Sequence, residues 1–445
     1  MTEQTTEAKV AEAQTAALDL ANVSDETRRA ALHDIADAIE ANTETILEAN
    51  EDDVAEAEAM LEAGEYSRAL VDRLELSASK LESIAEMVRS VAAQDDPLGK
   101  TLASRRLDDG LELYKLSVPI GVIGTVFESR PDALAQIAAL SLKSGNAVIL
   151  KGGSEASHSN RVLYDIIREA TADVDVPEGW AQLIEAREDV TRLLEMDDSV
   201  DLLMPRGSSE FVSYIQDNTS IPVLGHTEGV CHVYVDREAD LGMAADIAYD
   251  AKVQYPAVCN AVETLLVHES VAASFLPSAV DRYREAGVEL RGDAATRDIV
   301  DVDPAADADW STEYGDLVLS IKVVDSLSAA VDHVNTYGSK HTESIVTETP
   351  DRASRFMRSV DAASVFHNAS TRFADGYRFG LGAEVGISTG KIHARGPVGL
   401  DGLTTYKYHL EGSGQVVDTY AGEDAKPFRH EEFEGEWSPG RLSEE

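Results

Sequence analysis

The residues that decide the fold are Ala147-Val148-Ile149-Leu150-Lys151-Gly152-Gly153-Ser154. An unbroken apolar run closed by a Lys-Gly-Gly turn reads as a short strand covered on both faces. The turn opens a helical stretch, 154–170, in which Val162, Leu163, Ile166 and Ile167 share one side. The same order repeats on either side. Apolar runs at 121–127, 183–184, 202–204 and 230–235 stand as strands, with helical patterns at 132–143 and 208–217. That alternation predicts an α/β fold with a parallel, doubly wound sheet.

Further out, residues 12–95 carry Ala, Leu and Ile at helical spacing among Glu and Asp. Residues 105–116 alternate about Asp108-Asp109-Gly110, a hairpin signal. A second α/β series has strands near 264–267, 318–324, 344–346 and 364–366. The glycine-rich stretch 379–402 precedes a strand-like 404–409. Beyond Asp418 the chain is acidic and contains Pro and Gly, and is expected to be poorly ordered.

The 445 residues, 43% of them hydrophobic, suffice for two or three domains with their own cores. Asp and Glu number 82 against 38 Lys and Arg, a formal charge of -44 spread along the whole chain. Phosphate backbones call for basic patches, so nucleic acid is excluded as a partner. Such charge repels itself in dilute salt and is screened in concentrated salt, which points to a salt-rich cytoplasm. Two cysteines, Cys231 and Cys259, form no disulfide framework and indicate a reducing compartment. No apolar run approaches the roughly 20 residues of a membrane helix. The polar, acidic residues 1–10 do not read as a signal peptide. A cytoplasmic location with no membrane partner is expected.

Several turns could carry chemistry. Lys151-Gly152-Gly153-Ser154 lies where a strand feeds a helix, the place where nucleotides dock in such sheets; a plain βα turn reads equally well. In Pro205-Arg206-Gly207-Ser208-Ser209, backbone amides and hydroxyls suit a pyrophosphate, and Ser208 equally suits a helix cap. Cys259, between a helical run and a strand, is a candidate nucleophile, with its own amide and Asn260 near enough to help hold an oxyanion. Cys231 falls inside an apolar strand and reads as inert. No histidine is tied to Cys259 by spacing, and without HExxH or CxxC no metal is expected. Arg130, after Glu128, can grip a carboxylate or phosphate with its fork, or form a surface ion pair with Glu128. Lys391, His393 and Arg395 make either an anion-handling loop or a structural hairpin.

The order and wording of these pieces resemble a known family. Val118-Pro119-Ile120-Gly121-Val122-Ile123-Gly124, Glu128-Ser129-Arg130-Pro131 and Leu142-Lys143-Ser144-Gly145-Asn146-Ala147 come first. Lys151-Gly152-Gly153-Ser154-Glu155-Ala156, Pro205-Arg206-Gly207, Cys231-His232-Val233-Tyr234-Val235-Asp236 and Val258-Cys259-Asn260-Ala261 follow in collinear order. Asn368-Ala369-Ser370-Thr371-Arg372-Phe373, Phe379-Gly380-Leu381-Gly382-Ala383-Glu384 and Leu403-Thr404-Thr405-Tyr406-Lys407 close the set. Over roughly residues 15–415 this is similar to the gamma-glutamyl phosphate reductases of the aldehyde dehydrogenase superfamily.

The resemblance implies two doubly wound α/β domains and a small β arm used for oligomerisation. Residues 1–104 and 118–235 would bind NADPH, and 236–402 would be catalytic. Residues 105–117 and 403–417 would form the arm of a dimer or larger homo-oligomer, and 418–445 an acidic tail. It places Cys259 as the catalytic cysteine and Asn260 at the oxyanion site. Lys151 falls at the adenosine ribose, with Ser154 where NAD-preferring relatives often carry Glu. Gly207 and Ser208 take the pyrophosphate turn, and Glu313 the nicotinamide ribose. The substrate would be L-glutamate 5-phosphate, gripped by Arg130 and received from a kinase through a transient contact. Oxidising relatives carry a general-base Glu on the loop 224–230; the matching position is Gly225, with Glu228 three residues on. Glu228 keeps an oxidising dehydrogenase as a rival, and a silent nucleotide-binding scaffold would have to ignore Cys259.

Overall fold

A computed structural model describes residues 4–128 and 130–438; Ser129 of the Glu128–Pro131 motif and the last residues of the tail lie outside them. By internal contacts the chain divides into two units, residues 1–207, 218–223 and 399–445, and residues 208–217 and 224–398.

In the first unit the helical N-terminal region resolves into Thr6–Leu20, Asp25–Ala41, Thr43–Glu62, Arg68–Leu74 and Ala78–Ala92. Ser and Thr set their starts: Ser24 accepts from the Thr27 amide at 3.1 Å and Ser77 from Lys80 at 3.2 Å. Val122–Phe127 and Ala147–Gly152 pair in parallel, flanked by Ala181–Leu183 and Leu202–Arg206. Val122–Phe127 is buried throughout, and that is why it reads as a continuous apolar run. Pro131 occupies the first turn of the following helix, Pro131–Lys143, where its missing amide hydrogen costs nothing.

The hairpin expected at Asp108-Asp109-Gly110 joins Thr101–Asp108 to Leu111–Pro119. Thr404–Glu411 pairs antiparallel with the second of these strands. Here the tail departs from expectation. Glu431 and Glu432 pair with Arg106 and Arg105. Phe433 sits edge-on to Tyr114 at 5.8 Å, and Trp437 on His409 at 4.5 Å. The acidic composition hid these aromatic anchors, and hid Lys426 and Arg429, which reach Asp108 and Asp109.

The second unit is built on a parallel sheet. Among the described residues its order is Asp303–Pro304, Glu289–Gly292, Val318–Val324, Val262–His268, Cys231–Val235, Thr342–Val346 and Ser364–His367. Helices Leu241–Val253 and Glu269–Glu285 pack one apolar cluster around Val233, Leu265 and Ile321. Leu327–Tyr337 and Pro350–Ser359 contribute to another, around Tyr234, Leu266 and Ile345. The strand Cys231–Val235, assigned to the first domain in the sequence reading, belongs to this second sheet. Its ladder partners are Val262–His268 and Thr342–Val346, so the boundary falls near residue 224 rather than 236. No described helix is long and apolar enough to cross a membrane.

Candidate active site

Cys259 lies half-buried in the turn between the helix Leu241–Val253 and the strand Val262–His268. Pro256 cannot continue the helix, and the Ala261 amide closes the turn onto the Val258 carbonyl at 2.9 Å. Three neighbours fix this turn. Cys231 donates its thiol to the Cys259 carbonyl at 3.2 Å, and burial pushes its pKa well up, so it stays a thiol. Gly229 packs backbone to backbone: a Cβ there would lie 2.1 Å from the Cys259 carbonyl oxygen and 2.4 Å from its Cα. The Gly229 amide in turn donates to Glu313 Oε2 at 2.8 Å. Glu313 thus secures the loop that carries Gly229.

The third neighbour is Arg372. Its guanidinium is buried and donates to Gln254 Oε1 at 3.0 Å and to Asn260 Oδ1, so it brackets both ends of the turn. Burial lowers its pKa against the opposing pull of Asp375 and Asp250. It is a desolvated cation held by neutral amides, whose charge is felt at Arg378, Asp375 and Asp250 and, least, at Cys259; a cation so placed acts in favour of a thiolate there. Asn260 Nδ2 donates to Ala374 O at 2.8 Å, so one amide hydrogen of the expected oxyanion donor is already engaged. Behind the turn, Lys252 and Glu263 form a wholly buried ion pair at 2.6 Å, and desolvation raises Glu263 to about 7.

Two histidines converge on Cys259 that spacing did not reveal. One ligating atom each of His226, Cys259 and His341 lie within 4.8 Å of one another. His226 Nδ1 contacts the Ile387 carbonyl at 3.0 Å. A carbonyl only accepts, so Nδ1 carries the hydrogen of the neutral ring and Nε2 keeps its lone pair. On the same loop Gly225 is buried and has no side chain, while Glu228 is exposed.

The remaining candidates sit on the turns the sequence marked. Lys151 is half-buried at the end of its strand, with Nζ on the Gly152 carbonyl at 2.8 Å and its pKa lowered by burial. Ser154 is exposed and opens the short 3-10 turn Ser154–Ala156. This strand exit fits a ribose of a dinucleotide, although Glu155 brings a negative charge to bear on Lys151. Gly207 is an exposed bend after Leu202–Arg206. Ser208 Oγ accepts from the Phe211 amide at 3.4 Å as a cap of Ser209–Asp217. Arg130 is exposed and precedes the helix Pro131–Lys143. In the stretch 379–402, Ile387–Ser388 pairs with Gly396–Pro397, and Lys391 and Arg395 both hold Asp361, at 2.8 and 2.9 Å. That stretch is a structural hairpin whose cations have a partner.

The aldehyde dehydrogenase family model matches residues 1–317. Over 438 residues, 98% of the chain and 100% of the relative, the sequence is 78% identical to a gamma-glutamyl phosphate reductase of Natronomonas pharaonis. It is 73% identical to that of Haloquadratum walsbyi over 98% of the chain and 96% of the relative. The crystal structure of the Thermotoga maritima gamma-glutamyl phosphate reductase superposes with a TM-score of 0.90 at 42% identity, covering 93% of this chain and 100% of that one. The chain therefore belongs to the aldehyde dehydrogenase family and, within it, to the gamma-glutamyl phosphate reductases.

Proposed function

We propose that the chain reduces L-glutamate 5-phosphate to L-glutamate 5-semialdehyde and phosphate, the second step of proline biosynthesis, with NADPH as reductant. The observation that carries this reading is the full-length likeness to reductases of that name. Cys259 is the nucleophile. Its proton passes to His226 Nε2, and Arg372 favours the resulting thiolate. Sulfur attacks the acyl phosphate carbonyl, the carbon–oxygen bond to phosphate breaks, and a thioester remains on Cys259. The Cys259 amide and the remaining Asn260 amide hydrogen are the donors offered to the oxyanion.

Gly225 offers no carboxylate to activate water, Glu228 is exposed, and His226 already carries the thiol's proton, so hydrolysis of the thioester is disfavoured. This is the feature that favours a reductase over an oxidising dehydrogenase. NADPH, held by Lys151, Ser154, Gly207, Ser208 and Glu313, supplies the hydride when bound. Collapse of the thiohemiacetal returns the Cys259 thiolate and releases the aldehyde. Arg130, exposed ahead of its helix, is the cation offered to the substrate's anionic groups.

The antiparallel sheet exposes Leu102, Tyr406, Tyr408 and Leu410, which supports its use as an oligomerisation arm in at least a dimer. Handover of the labile acyl phosphate from its kinase would be transient. The test is Cys259→Ala: turnover disappears while NADPH binding, read by fluorescence, persists. An active variant overturns the assignment.

A further inference from the structure

The geometry points to a second use of the cluster at Cys259: His226, Cys259 and His341 form a site for a soft divalent cation such as Zn²⁺, whose occupancy reversibly silences the nucleophile. One atom from each residue lies within 4.8 Å of the others. In a tetrahedral zinc site with two nitrogens and one sulfur, those atoms stand about 3.3–3.6 Å apart, from Zn–N near 2.0 and Zn–S near 2.3 Å. Closing movements of at most about 1.5 Å complete the geometry, with a fourth position left to water.

The second observation is His341. It is buried, and its Nε2 has no hydrogen-bond partner among the described residues, an arrangement that costs free energy in an apolar setting. Its Nδ1 contacts Thr342 Oγ1 at 2.8 Å and lies 3.8 Å from the Cys231 sulfur; with the hydroxyl accepting from Nδ1–H, Nε2 is the nitrogen that keeps a lone pair. A neutral imidazole is the form that ligates metal. His226 is oriented the same way by Ile387 O. Thiolate and imidazole together select zinc over magnesium or calcium. Binding replaces the Cys259 thiol proton, which passes to the buffer, and no electron moves. The inhibitory consequence rests on Cys259 being the nucleophile; the binding does not.

The test uses the full chain, chelator-treated, reduced and in concentrated KCl, so that surface carboxylates are screened. Zinc affinity is read by competition with a chromophoric indicator, and Co²⁺ serves as a spectroscopic stand-in. One Zn²⁺ should bind per chain and block turnover, with EDTA restoring it. Co²⁺ should show a thiolate charge-transfer band that Cys259→Ala removes. His226→Gln and His341→Gln should each weaken Zn²⁺ binding at least about tenfold. His226→Gln serves if the buried His341 variant fails to fold. Unchanged affinity in a folded histidine variant, or Co²⁺ bound without the thiolate band, overturns the site. Neither result touches the reductase reading, which fails separately if Cys259→Ala retains turnover.

Discussion

Gly229→Ala adds one methyl group, and its effect can be worked from the backbone. The new Cβ would sit 2.1 Å from the Cys259 carbonyl oxygen and 2.4 Å from its Cα. Ordinary contacts between heavy atoms lie near 3.5 Å, so one backbone segment must retreat by roughly 1 Å. Strain of this kind costs about 1–3 kcal/mol in stability, which a protein of this size tolerates. A nucleophile misplaced by about 1 Å loses on the order of 10²-fold in rate, or about 2.7 kcal/mol of barrier. The assay is kcat from NADPH consumption, with circular dichroism to confirm folding and the rate of Cys259 alkylation as a second readout. A folded variant with kcat within threefold of the parent would refute the claim that Gly229 sets the position of the sulfur.

Other consequences concern charge. Arg372→Gln should move the pH midpoint for alkylation of Cys259 upward by about one unit or more, since the neighbouring cation is gone; an unmoved midpoint would detach Arg372 from the thiolate. His333 is buried beside His232, which pairs with Glu343, and near Lys322, and burial drives its pKa to about 3. A depressed histidine stabilises the fold fully above its unfolded pKa near 6.5, and that contribution is lost as pH falls toward 3. His333→Phe should therefore gain about 2 kcal/mol relative to the parent between pH 7 and pH 5, measured by urea unfolding at each pH. Taking the difference cancels the opposing titration of Glu263 and Glu343, which burial raises. With a net charge of -44, the unfolding midpoint should also climb steeply with KCl, and a flat salt profile would contradict the reading of the charge.

Much of the fold was legible because the strands of both sheets are covered on two faces. Val122–Phe127 and Val262–His268 are buried from end to end, so apolar runs betray them directly. Glu289–Gly292 escaped notice because only Leu290 and Gly292 are buried and the stretch is too short to show a period. Cys231–Val235 reads as a strand, but chain order places it with the first domain, since hydrogen-bond partners are not written in chain order. The site divides along the same line. Cys259 is visible as a cysteine in a turn before a strand. His226, His341 and Arg372 reach it only because separate strands and loops of the second unit bring them there. Arg372 lies inside Asn368–Phe373, one of the segments that carry the family resemblance, and a cation there is the signal that marks it. Cys231 reads as packing, and its thiol bond to the Cys259 carbonyl shows how a buried cysteine still helps to position the turn that carries Cys259.

The most direct measurement is the reverse reaction in concentrated KCl, with glutamate 5-semialdehyde and NADP⁺ supplied and absorbance followed with and without inorganic phosphate. NADPH should form only when phosphate is present, because the position where oxidising relatives carry a general-base glutamate is Gly225, which offers no carboxylate to recruit water. Equal rates without phosphate would mean that water resolves the thioester, and the chain would then be an oxidising aldehyde dehydrogenase.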